Sequence, residues 1–331
     1  MGNPIIRYEA AQTPHVFEAM TDSGDQTTFS ASFSPFSNAA NYEPTVAPYG
    51  LLTGGAITPN SGTNDSVTVA ALTAVMPAVS GADSDGVIAV SSGNVSITRG
   101  LTTDTHNITS ITIDNTGALA AVSGTDGTAF SETRGAAGGP PLIPVDSIEI
   151  GQVRTTTVDA ADVAAAEIYQ VAGSHVERAD YPGYAIDYGL GRVNFYDALP
   201  AIHTGGVPRL VYVKGYTPLF APLPKTSDWA PSEATYSISS TDTYDGPIGS
   251  SSSSLGQASF SAILADGLSD PIVAKKGQVL WFEFRPDRDK LLPKQLTQGV
   301  FGITRSFPAG GGSFSANCSV TPSAESLDVL S

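Results

Sequence analysis

The residue types that most often catalyse reactions or bind metals are sparse in this chain. His15, His106, His175 and His203 are scattered, so no two histidines have the spacing of paired metal ligands, and Cys318 is the single cysteine. One thiol excludes an internal disulfide and a zinc site built from thiolates. The sequence also lacks a Walker loop, a dinucleotide-binding fingerprint and the His-Glu-x-x-His zinc motif. We therefore expect no metal, no cofactor and no enzymatic activity.

Two acidic clusters and one run of serines could each form a functional site, but each is more simply explained as a turn or a linker. Asp83, Asp85 and Gly86 resemble the start of a calcium loop but lack its later glutamate, which favours an ordinary Asp-Gly turn. The segment FEFRPDRDK, residues 282–290, could hold a carboxylate pair, although its mixed charges favour a solvated, self-neutralising turn. The serines at 251–254 lack a Gly-x-Ser-x-Gly context, which favours a flexible linker over a nucleophile.

Aromatic residues concentrate around a predicted hairpin with the sequence YAIDYGLGRVNFY, residues 184–196. Five aromatic side chains in this region could form a sugar-binding surface: Tyr181, Tyr184, Tyr188, Phe195 and Tyr196. Packing of the same side chains against the core of the hairpin is the more common arrangement. Both interpretations stay open at this stage.

The charge of the chain argues against tight binding of nucleic acid. Among 331 residues, 16 Lys and Arg are outnumbered by 32 Asp and Glu, which gives a net charge of −16. Neutralising phosphates needs an excess of basic side chains. The opening MGNPIIRYEA lacks the pattern of a signal peptide, and no apolar run approaches the roughly 18 residues of a membrane span. We expect a soluble protein that folds in a reducing cytoplasm.

The charge is also distributed unevenly along the chain. Residues 1–208 carry six arginines against twenty-one acids, a net charge of −15, whereas residues 209–331 carry ten basic and eleven acidic groups, a net of −1. Within the second part, Asp228–Asp270 contains acids and no base, while Lys275–Arg305 is rich in bases. Edges of opposite sign predict head-to-tail pairing with a second copy of the chain.

The texture of the sequence predicts a mainly β protein with three parts. Residues 1–50 are rich in proline, and we predict an irregular arm with one short strand at Gln26–Phe33. Residues 51–210 contain short β-rich runs separated by Gly, Asp and Asn, which predict an additional small sandwich or barrel. A helix is predicted at Asp159–Gln170 because this segment is rich in alanine.

Residues 211–331 show the clearest strand pattern. Five strands are predicted in this part: ATYSISSTDT, QASFSAIL, QVLWFEFR, TQGVFGITR and SFSANCSVT. The last of these alternates small apolar and polar residues, whereas QVLWFEFR is apolar on both faces and needs cover that a neighbouring subunit could supply. A mobile Gly/Ser loop is predicted at Tyr244–Gln257, and a short helix follows Asp270.

The order of these elements resembles the tail tube proteins of long-tailed bacteriophages. The resemblance covers roughly residues 216–331 and rests on composition as well as order. That family has a strand with an acidic Thr/Asp run, a flexible loop, a strand rich in small residues and Phe, a short helix, and then three further strands. The matching positions are Asp242 and Tyr244, the loop to Leu255, Phe260, the helix from Asp270, Phe282, Gly299 and Phe314.

The resemblance implies a tail-tube β-sandwich at residues 211–331. Such subunits form stacked hexameric rings around a channel, hold the tape-measure protein and meet tail terminator and distal tail proteins. It implies a place in the virion tail after assembly in the host cytoplasm, with DNA only in passage and no membrane. Residues 51–210 depart from a minimal tube protein, and we expect them to form an outward-facing decoration.

Two pairs of residues are candidate sites on this interpretation. Ile248 and Leu255 are the aliphatic residues of the Gly/Ser loop, which makes them candidates for the contact between rings. Asp242 and Asp245 are candidate acids that face the channel and repel DNA phosphate. The alternative is a phage fibre or receptor-binding adhesin with a glycan-binding β domain, which would usually assemble as a trimer. A glycan-degrading enzyme would need an isolated acid pair in a cleft, which the sequence does not show.

Overall fold

The computed structural model of the chain describes residues 3–76, 86–207, 209–310 and 312–330, and at 241–243 and 247 it describes the backbone alone. Strands account for 50% of the residues and helical turns for 3%, with antiparallel pairing between the strands. The predicted mainly β class is confirmed. Asp83 and Asp85 of the calcium-like motif lie outside the described residues.

The described residues form strands of two to fifteen residues. The first thirteen are β1 (Ile5–Ala19), β2 (Thr21–Asp22), β3 (Thr28–Ser30), β4 (Thr45–Pro48), β5 (Gly50–Gly54), β6 (Ile57–Pro59), β7 (Ser66–Val69), β8 (Leu72–Val75), β9 (Val87–Val90), β10 (Gly93–Ser96), β11 (Asn107–Asp114), β12 (Leu119–Ser123) and β13 (Ser147–Thr155). The others are β14 (Ile168–Tyr169), β15 (Tyr184–Asp187), β16 (Arg192–Phe195), β17 (Val211–Leu223), β18 (Thr226–Ala230), β19 (Ala234–Thr243), β20 (Gly246–Leu255), β21 (Ala258–Ile263), β22 (Val279–Arg285), β23 (Lys294–Ser306), β24 (Ser315–Pro322) and β25 (Leu327–Val329). Short 3₁₀ turns lie at Ala165–Glu167, Thr204–Gly206 and Val273–Lys275.

The chain divides into two compact units, and the segments that form them alternate along the sequence. Unit 1 comprises Met1–Pro14, Pro35–Pro44 and Tyr216–Ser331, and unit 2 comprises His15–Ser34 and Thr45–Gly215. The expected boundary between residues 210 and 211 therefore lies close to an observed one. Residues 1–50, expected as a separate arm, are divided between the two units instead.

In unit 1 the strands follow the order β18-β21-β24-β23-β22-β1, and β25 pairs with β23. The predicted alternation of β21 and β24 is confirmed, because their small and aromatic residues on one face are buried and the polar residues between them are more exposed. Phe260, Phe282 and Phe301 lie in contact in this core, with ring centroids 5.4–5.7 Å apart. The free thiol of Cys318 packs beside them, and burial raises its pKa to about 12.

The two-faced strand β22 receives its second cover from the same chain. The indole N–H of Trp281 donates to the carbonyl of Phe36 at 2.7 Å, and the backbone N–H of Trp281 donates to the buried carboxylate of Glu9 at 3.1 Å. The Ser37 hydroxyl also donates to Glu9. The expectation of an irregular N-terminal arm is therefore wrong, because β1 and the segment 35–44 close the core of unit 1 around β22.

The charges of the FEFRPDRDK segment are divided between the predicted surface turn, which residues 286–290 form, and a buried network around Glu283. Glu283 is buried, and its carboxylate lies 2.8 Å from Arg7, 2.8 Å from Arg285 and 3.3 Å from Lys294. Burial on its own raises the pKa of Glu283, but the hydrogen bonds from Arg285 and Arg7 and the charge of Lys294 outweigh burial and lower it. The cross-strand pairing of Arg7 with Glu283, which sequence reasoning missed, places the charges together.

Unit 2 consists of several small antiparallel sheets around a large apolar core, with a smaller apolar cluster beside it formed by Ala47, Val75, Ala179 and Tyr212. Their strand orders are β10-β7-β6, β12-β11-β13-β14, β15-β16-β3-β2 and β5-β8-β9, and β4 pairs with the first part of β17. The core collects valine, isoleucine and leucine side chains from these strands. The predicted hairpin at 184–196 is confirmed by the pairing of β15 with β16 from Tyr184 opposite Phe195 to Asp187 opposite Arg192.

A β-bulge in β13 sets the direction of its polar side chains. The register against β11 shifts between Ile111, which faces Gly151, and Thr112, which faces Glu149. Without the shift, the odd spacing from Glu149 to Gln152 would place these two side chains on opposite faces. With it, Gln152 donates to the Glu149 carboxylate at 2.9 Å, and both face away from the apolar core.

The helix predicted at Asp159–Gln170 is reduced to the 3₁₀ turn Ala165–Glu167. The backbone of this segment makes tertiary hydrogen bonds instead of helical ones. The carbonyl of Ala161 accepts from the backbone N–H of Asp65 at 2.9 Å and from the guanidinium of Arg99 at 3.1 Å. The helix predicted after Asp270 is likewise a short 3₁₀ turn. Local alanine propensity is a weak preference that such contacts override.

Substitution of two glycines in unit 2 allows the cost of an unfavourable backbone conformation to be compared with the cost of a steric clash. Both have positive φ, but a Cβ on Gly62 would meet open space, whereas one on Gly138 would lie 2.0 Å from the carbonyl oxygen of Ala129. We expect Gly62→Ala to lower the free energy of unfolding by about 1 kcal/mol and Gly138→Ala by about 2–4 kcal/mol. Chemical denaturation of both variants checks this. Equal losses would contradict the crowding at Gly138.

Candidate functional site

The most unusual feature of unit 1 is a long two-stranded ribbon formed by β19 and β20. The two strands pair without a register shift from Ala234 opposite Leu255 to Thr243 opposite Gly246. Among the described residues, no third strand joins this sheet. The prediction of a mobile loop at Tyr244–Gln257 is therefore wrong. Pairing with β19 gives the Ser-rich segment a backbone hydrogen-bond ladder, which its composition alone does not reveal.

One face of the ribbon is a ladder of hydroxyl groups. Thr235 lies 2.9 Å from Ser254 across the strands, measured between their side-chain oxygens. Ser237 lies 2.8 Å from Ser252 in the same way, and Ser239 lies 2.7 Å from Ser250. Cross-strand hydroxyl pairs of this kind stabilise a strand pair by roughly 0.2–1 kcal/mol each and leave the face compatible with water.

The other face of the ribbon carries exposed apolar side chains. Tyr236 is 77% exposed and Ile238 is 84% exposed, and both point to the same side as Leu255, which is 37% exposed. Residues two apart on a strand share a face, and directly opposed residues of paired strands share it too. This face, called the apolar face below, therefore carries Tyr236, Ile238 and Leu255 with serines opposite the first two, and its apolar side chains are exposed in the single chain.

The candidate contact residues predicted from the sequence fall on different faces. Ile248 lies opposite Thr241 on the hydroxyl face, is 64% exposed and stands near the turn, whereas Leu255 lies on the apolar face at the base of the ribbon. Sequence reasoning missed Tyr236 and Ile238, which the alternation of ATYSISSTDT with polar residues could have revealed. The contact between rings remains a prediction for Ile248 and Leu255.

The candidate channel acids lie at the tip of the ribbon. Asp245 belongs to the exposed turn between β19 and β20, and Tyr244 beside it is fully exposed. The backbone of Asp242 pairs with that of Pro247, but the side chain of Asp242 lies outside the described part of the structure. Their orientation toward a channel remains a prediction.

The exposed apolar side chains and free edges of the ribbon favour its burial against a partner surface. A two-stranded hairpin is at best marginally stable in water, and its two edges offer unpaired backbone groups to another strand. Burying Tyr236 and Ile238 removes their apolar surface from water, and each fully buried side chain of this size contributes roughly 1.5–3 kcal/mol. The arrangement suits binding to another protein surface.

The aromatic residues near the β15–β16 hairpin, within unit 2, divide into two groups. Tyr184 and Phe195 pack edge to face at 5.6 Å inside the hairpin, and Tyr188 is partly buried. Tyr181 and Tyr196 are exposed instead and line a cavity of about 510 Å³. The packing interpretation therefore applies to the first group, and the second group leaves a ligand site open.

Within the part of the chain that the structure describes, no group of three or more His, Cys, Asp or Glu side chains is arranged to hold a metal ion. None of the helical segments in the described ranges has the length and apolar character needed to cross a membrane.

No family model, curated protein or solved structure matches this chain. A functional conclusion therefore depends on the ribbon, the cavity and the charges around them. Of these, the ribbon is the feature whose exposed chemistry is least compatible with a solitary chain, because its apolar face lacks cover within the described residues.

Proposed function

We propose that the chain is a self-assembling structural subunit that contacts copies of itself through the β19–β20 ribbon. The observation that carries this proposal is the exposed apolar face formed by Tyr236, Ile238 and Leu255 on a ribbon with two free edges. A surface of this type is stable in water when a partner covers it. The proposed activity is assembly and not catalysis.

A second copy of the chain is the partner that the remaining surface supports. Unit 1 itself exposes apolar side chains outside the ribbon, including Leu268 and Phe307, which offer a receiving surface. The ribbon lies within the acidic stretch Asp228–Asp270, whereas Lys275–Arg305 carries most of the basic groups of unit 1. Opposite charges on two parts of one subunit favour heterologous contacts, which generate rings or filaments.

Among assemblies of this kind, we propose a tail-tube subunit of a long-tailed bacteriophage. The support is the sequence resemblance of residues 216–331 together with a mainly β unit 1 that carries a protruding ribbon. The proposed assembly is a stack of hexameric rings in the virion tail, whose channel holds the tape-measure protein and passes DNA. Asp242 and Asp245 would then face that channel, and tail terminator and distal tail proteins would close the two ends.

The alternative function is a fibre or receptor-binding adhesin. The observation that favours it is the cavity lined by Tyr181 and Tyr196 in unit 2. Subunit number discriminates between the two functions, because a fibre usually forms a trimer and a tail tube forms rings of six. Light scattering with negative-stain electron microscopy of the full chain distinguishes them.

A ribbon variant tests assembly directly. We expect the double variant Tyr236→Ser/Ile238→Ser to remain folded by circular dichroism and to form no rings or tubes, because the apolar contact area is lost at every interface. The matched control is Leu291→Ser, at an apolar residue of unit 1 that is 73% exposed and belongs neither to the ribbon nor to the proposed receiving surface. Multi-angle scattering and negative-stain images report the assembly state.

Two outcomes would count against this function. Wild-type protein that stays monomeric at high concentration excludes self-assembly by the chain alone. Normal rings or tubes from the ribbon variant exclude the apolar face as the contact, and Ile248→Ser then tests the hydroxyl face, where Ile248 lies.

A further inference from the structure

We infer that the cavity of unit 2 binds an uncharged saccharide, such as the terminal sugar of a glycan, between Tyr181, Tyr196 and the buried carboxylate of Glu177. The cavity holds about 510 Å³, within the range of roughly 300–1,000 Å³ that is typical of small-molecule sites. This inference is independent of self-assembly, because every residue that carries it belongs to unit 2 and none to the ribbon.

The two tyrosine rings are held in place by glycines. A Cβ added at Gly173 would lie 2.2 Å from ring atoms of Tyr181, and one added at Gly183 would lie 2.9 Å from the ring of Tyr196. Each ring therefore lies directly against glycine backbone. The backbone N–H of Tyr196 also donates to the carbonyl of Gly183 at 3.0 Å, which fixes the chain at the second ring.

Fixed, exposed aromatic faces suit the apolar face of a sugar ring. Tyrosine offers a large rigid surface at a small loss of side-chain entropy, and its ring face attracts the slightly positive hydrogens of C–H groups. Exposed tyrosines without a ligand would more often be mobile on the surface, whereas here the glycines at 173 and 183 leave space for the rings alone.

The carboxylate of Glu177 is the polar anchor inside the cavity. One of its oxygens accepts the backbone N–H of Glu149 at 2.6 Å, and the other, Oε1, is buried without a hydrogen-bond partner. The nearest cation to Oε1 is the Arg209 Nε, at 3.8 Å, which instead donates to the carbonyl of Tyr49. A buried acceptor without a donor is costly, and a ligand hydroxyl removes that cost.

The second glutamate of the cavity is already engaged. Glu149 accepts hydrogen bonds from Ser110 at 2.5 Å, from Gln152 at 2.9 Å and from Arg134. Its carboxylate therefore has a structural role, which leaves Glu177 as the available acid of the two.

The charges around the cavity select a neutral ligand. Four acidic side chains and three arginines line it, so neither an anion nor a cation meets a field of one sign. A quaternary ammonium group would favour the tyrosine faces, but Arg209 beside Glu177 opposes a positive charge at the carboxylate. A saccharide presents hydroxyl donors, hydroxyl acceptors and an apolar ring face together, which matches this lining.

Binding of methyl glycosides to the full chain tests the inference. The probes are the methyl glycosides of glucose, galactose, mannose and N-acetylglucosamine, and saturation-transfer NMR and calorimetry report binding. We expect millimolar affinity for at least one of them. Tyr196→Ala should weaken it by about tenfold, because the variant removes one of the two aromatic faces that contact the sugar ring. Glu177→Gln, which keeps the shape of the side chain, should also weaken it.

The controls separate this site from the assembly surface and from misfolding. The ribbon variant Tyr236→Ser/Ile238→Ser should bind the same glycoside as the wild type, whether or not it assembles. If Tyr196→Ala alters the circular dichroism spectrum, Glu177→Gln decides the result. The inference is overturned if none of the four glycosides binds, if both cavity variants bind as tightly as the wild type, or if tetramethylammonium displaces the glycoside at lower concentration.

Discussion

Replacing Glu283 by glutamine is expected to lower the free energy of unfolding by about 3–5 kcal/mol, the usual loss when one partner of a buried charge network is removed. The carboxylate lies within 3.3 Å of nitrogens of Arg7, Arg285 and Lys294, and the side chain of Glu283 is 1% exposed. A glutamine keeps the shape but leaves three cations together without a counter-charge. It also disturbs the pairing of β1 with β22, since Arg7 lies directly opposite Glu283.

Urea denaturation measures this loss, with the slope of the transition unchanged if the unfolded state is unaffected. Asp287→Asn is the matched control, because the Asp287 carboxylate lies in a surface turn, 3.9 Å from the exposed Lys290, and its hydrogen bond from the backbone N–H of Asp289 can also be accepted by an asparagine oxygen. We expect the control to change the unfolding free energy by less than about 1 kcal/mol. Similar effects of the two substitutions would mean that Glu283 is not the centre of the network.

The network around Glu283 also predicts how the stability of the chain changes at acid pH. The pKa of Glu283 is lowered in the folded chain, so the folded state binds a proton more weakly at this site than the unfolded state. Its contribution to stability is therefore present above the unfolded pKa of 4.5 and is lost as the pH falls through the lower, folded pKa. The glutamine variant should lose less stability than the wild type over that acid range.

The sequence predicted the strands well where the two-residue period was intact. In β24, Ala316, Cys318 and Val320 are buried and the residues between them are not, as the alternation of SFSANCSVT predicts. Local pattern is sufficient in such strands, because burial of one face is what specifies them. The β class and the hairpin at 184–196 follow from the same reasoning.

The sequence-based predictions are wrong where contacts between residues that are distant in the chain determine the local structure. The ribbon forms because the Ser-rich segment pairs along its length with β19, and serine composition alone predicts a linker. The bulge at Gly151 changes which residues of β13 share a face, so the cluster of Glu149, Gln152 and Arg154 could not be read from alternation. Cover for Trp281 comes from residues more than two hundred positions earlier in the chain.

The candidate site was predictable in location but not in composition. The sequence directed attention to the segment around Ile248 and Leu255, and the structure adds Tyr236 and Ile238 as the exposed apolar pair. Face assignment needs the register of both strands, and the register depends on the turn at Tyr244. In unit 2 the sequence directed attention to Tyr181 and Tyr196 as part of a possible sugar-binding surface, but it did not show that Glu132 and Glu149, from earlier segments, line the same cavity.

The stability of the chain should also depend on Glu177 near neutral pH, with the opposite sign to Glu283. Burial raises the pKa of Glu177 to about 7, although the charge of Arg209 and the backbone hydrogen bond from Glu149 act in the other direction. The unfolded value is 4.5, so the folded chain binds the proton more tightly than the unfolded chain. This contribution to stability is complete below about pH 4.5 and is lost as the pH rises to about 7.

We expect the free energy of unfolding of the wild type, relative to Glu177→Gln, to fall by about 3 kcal/mol between pH 4.5 and pH 8, since one pKa unit is worth about 1.4 kcal/mol. The glutamine is neutral at every pH and removes the titration without emptying the site. Glu132→Gln is the matched control in the same unit, because the hydrogen bond from Arg154 lowers the pKa of the exposed Glu132 and reverses the sign. Urea denaturation across this pH range measures all three proteins without sugar present. If the free energies of unfolding of wild type and Glu177→Gln differ by the same amount at every pH, Glu177 keeps its ordinary pKa. Arg209 would then neutralise the carboxylate fully despite the 3.8 Å separation.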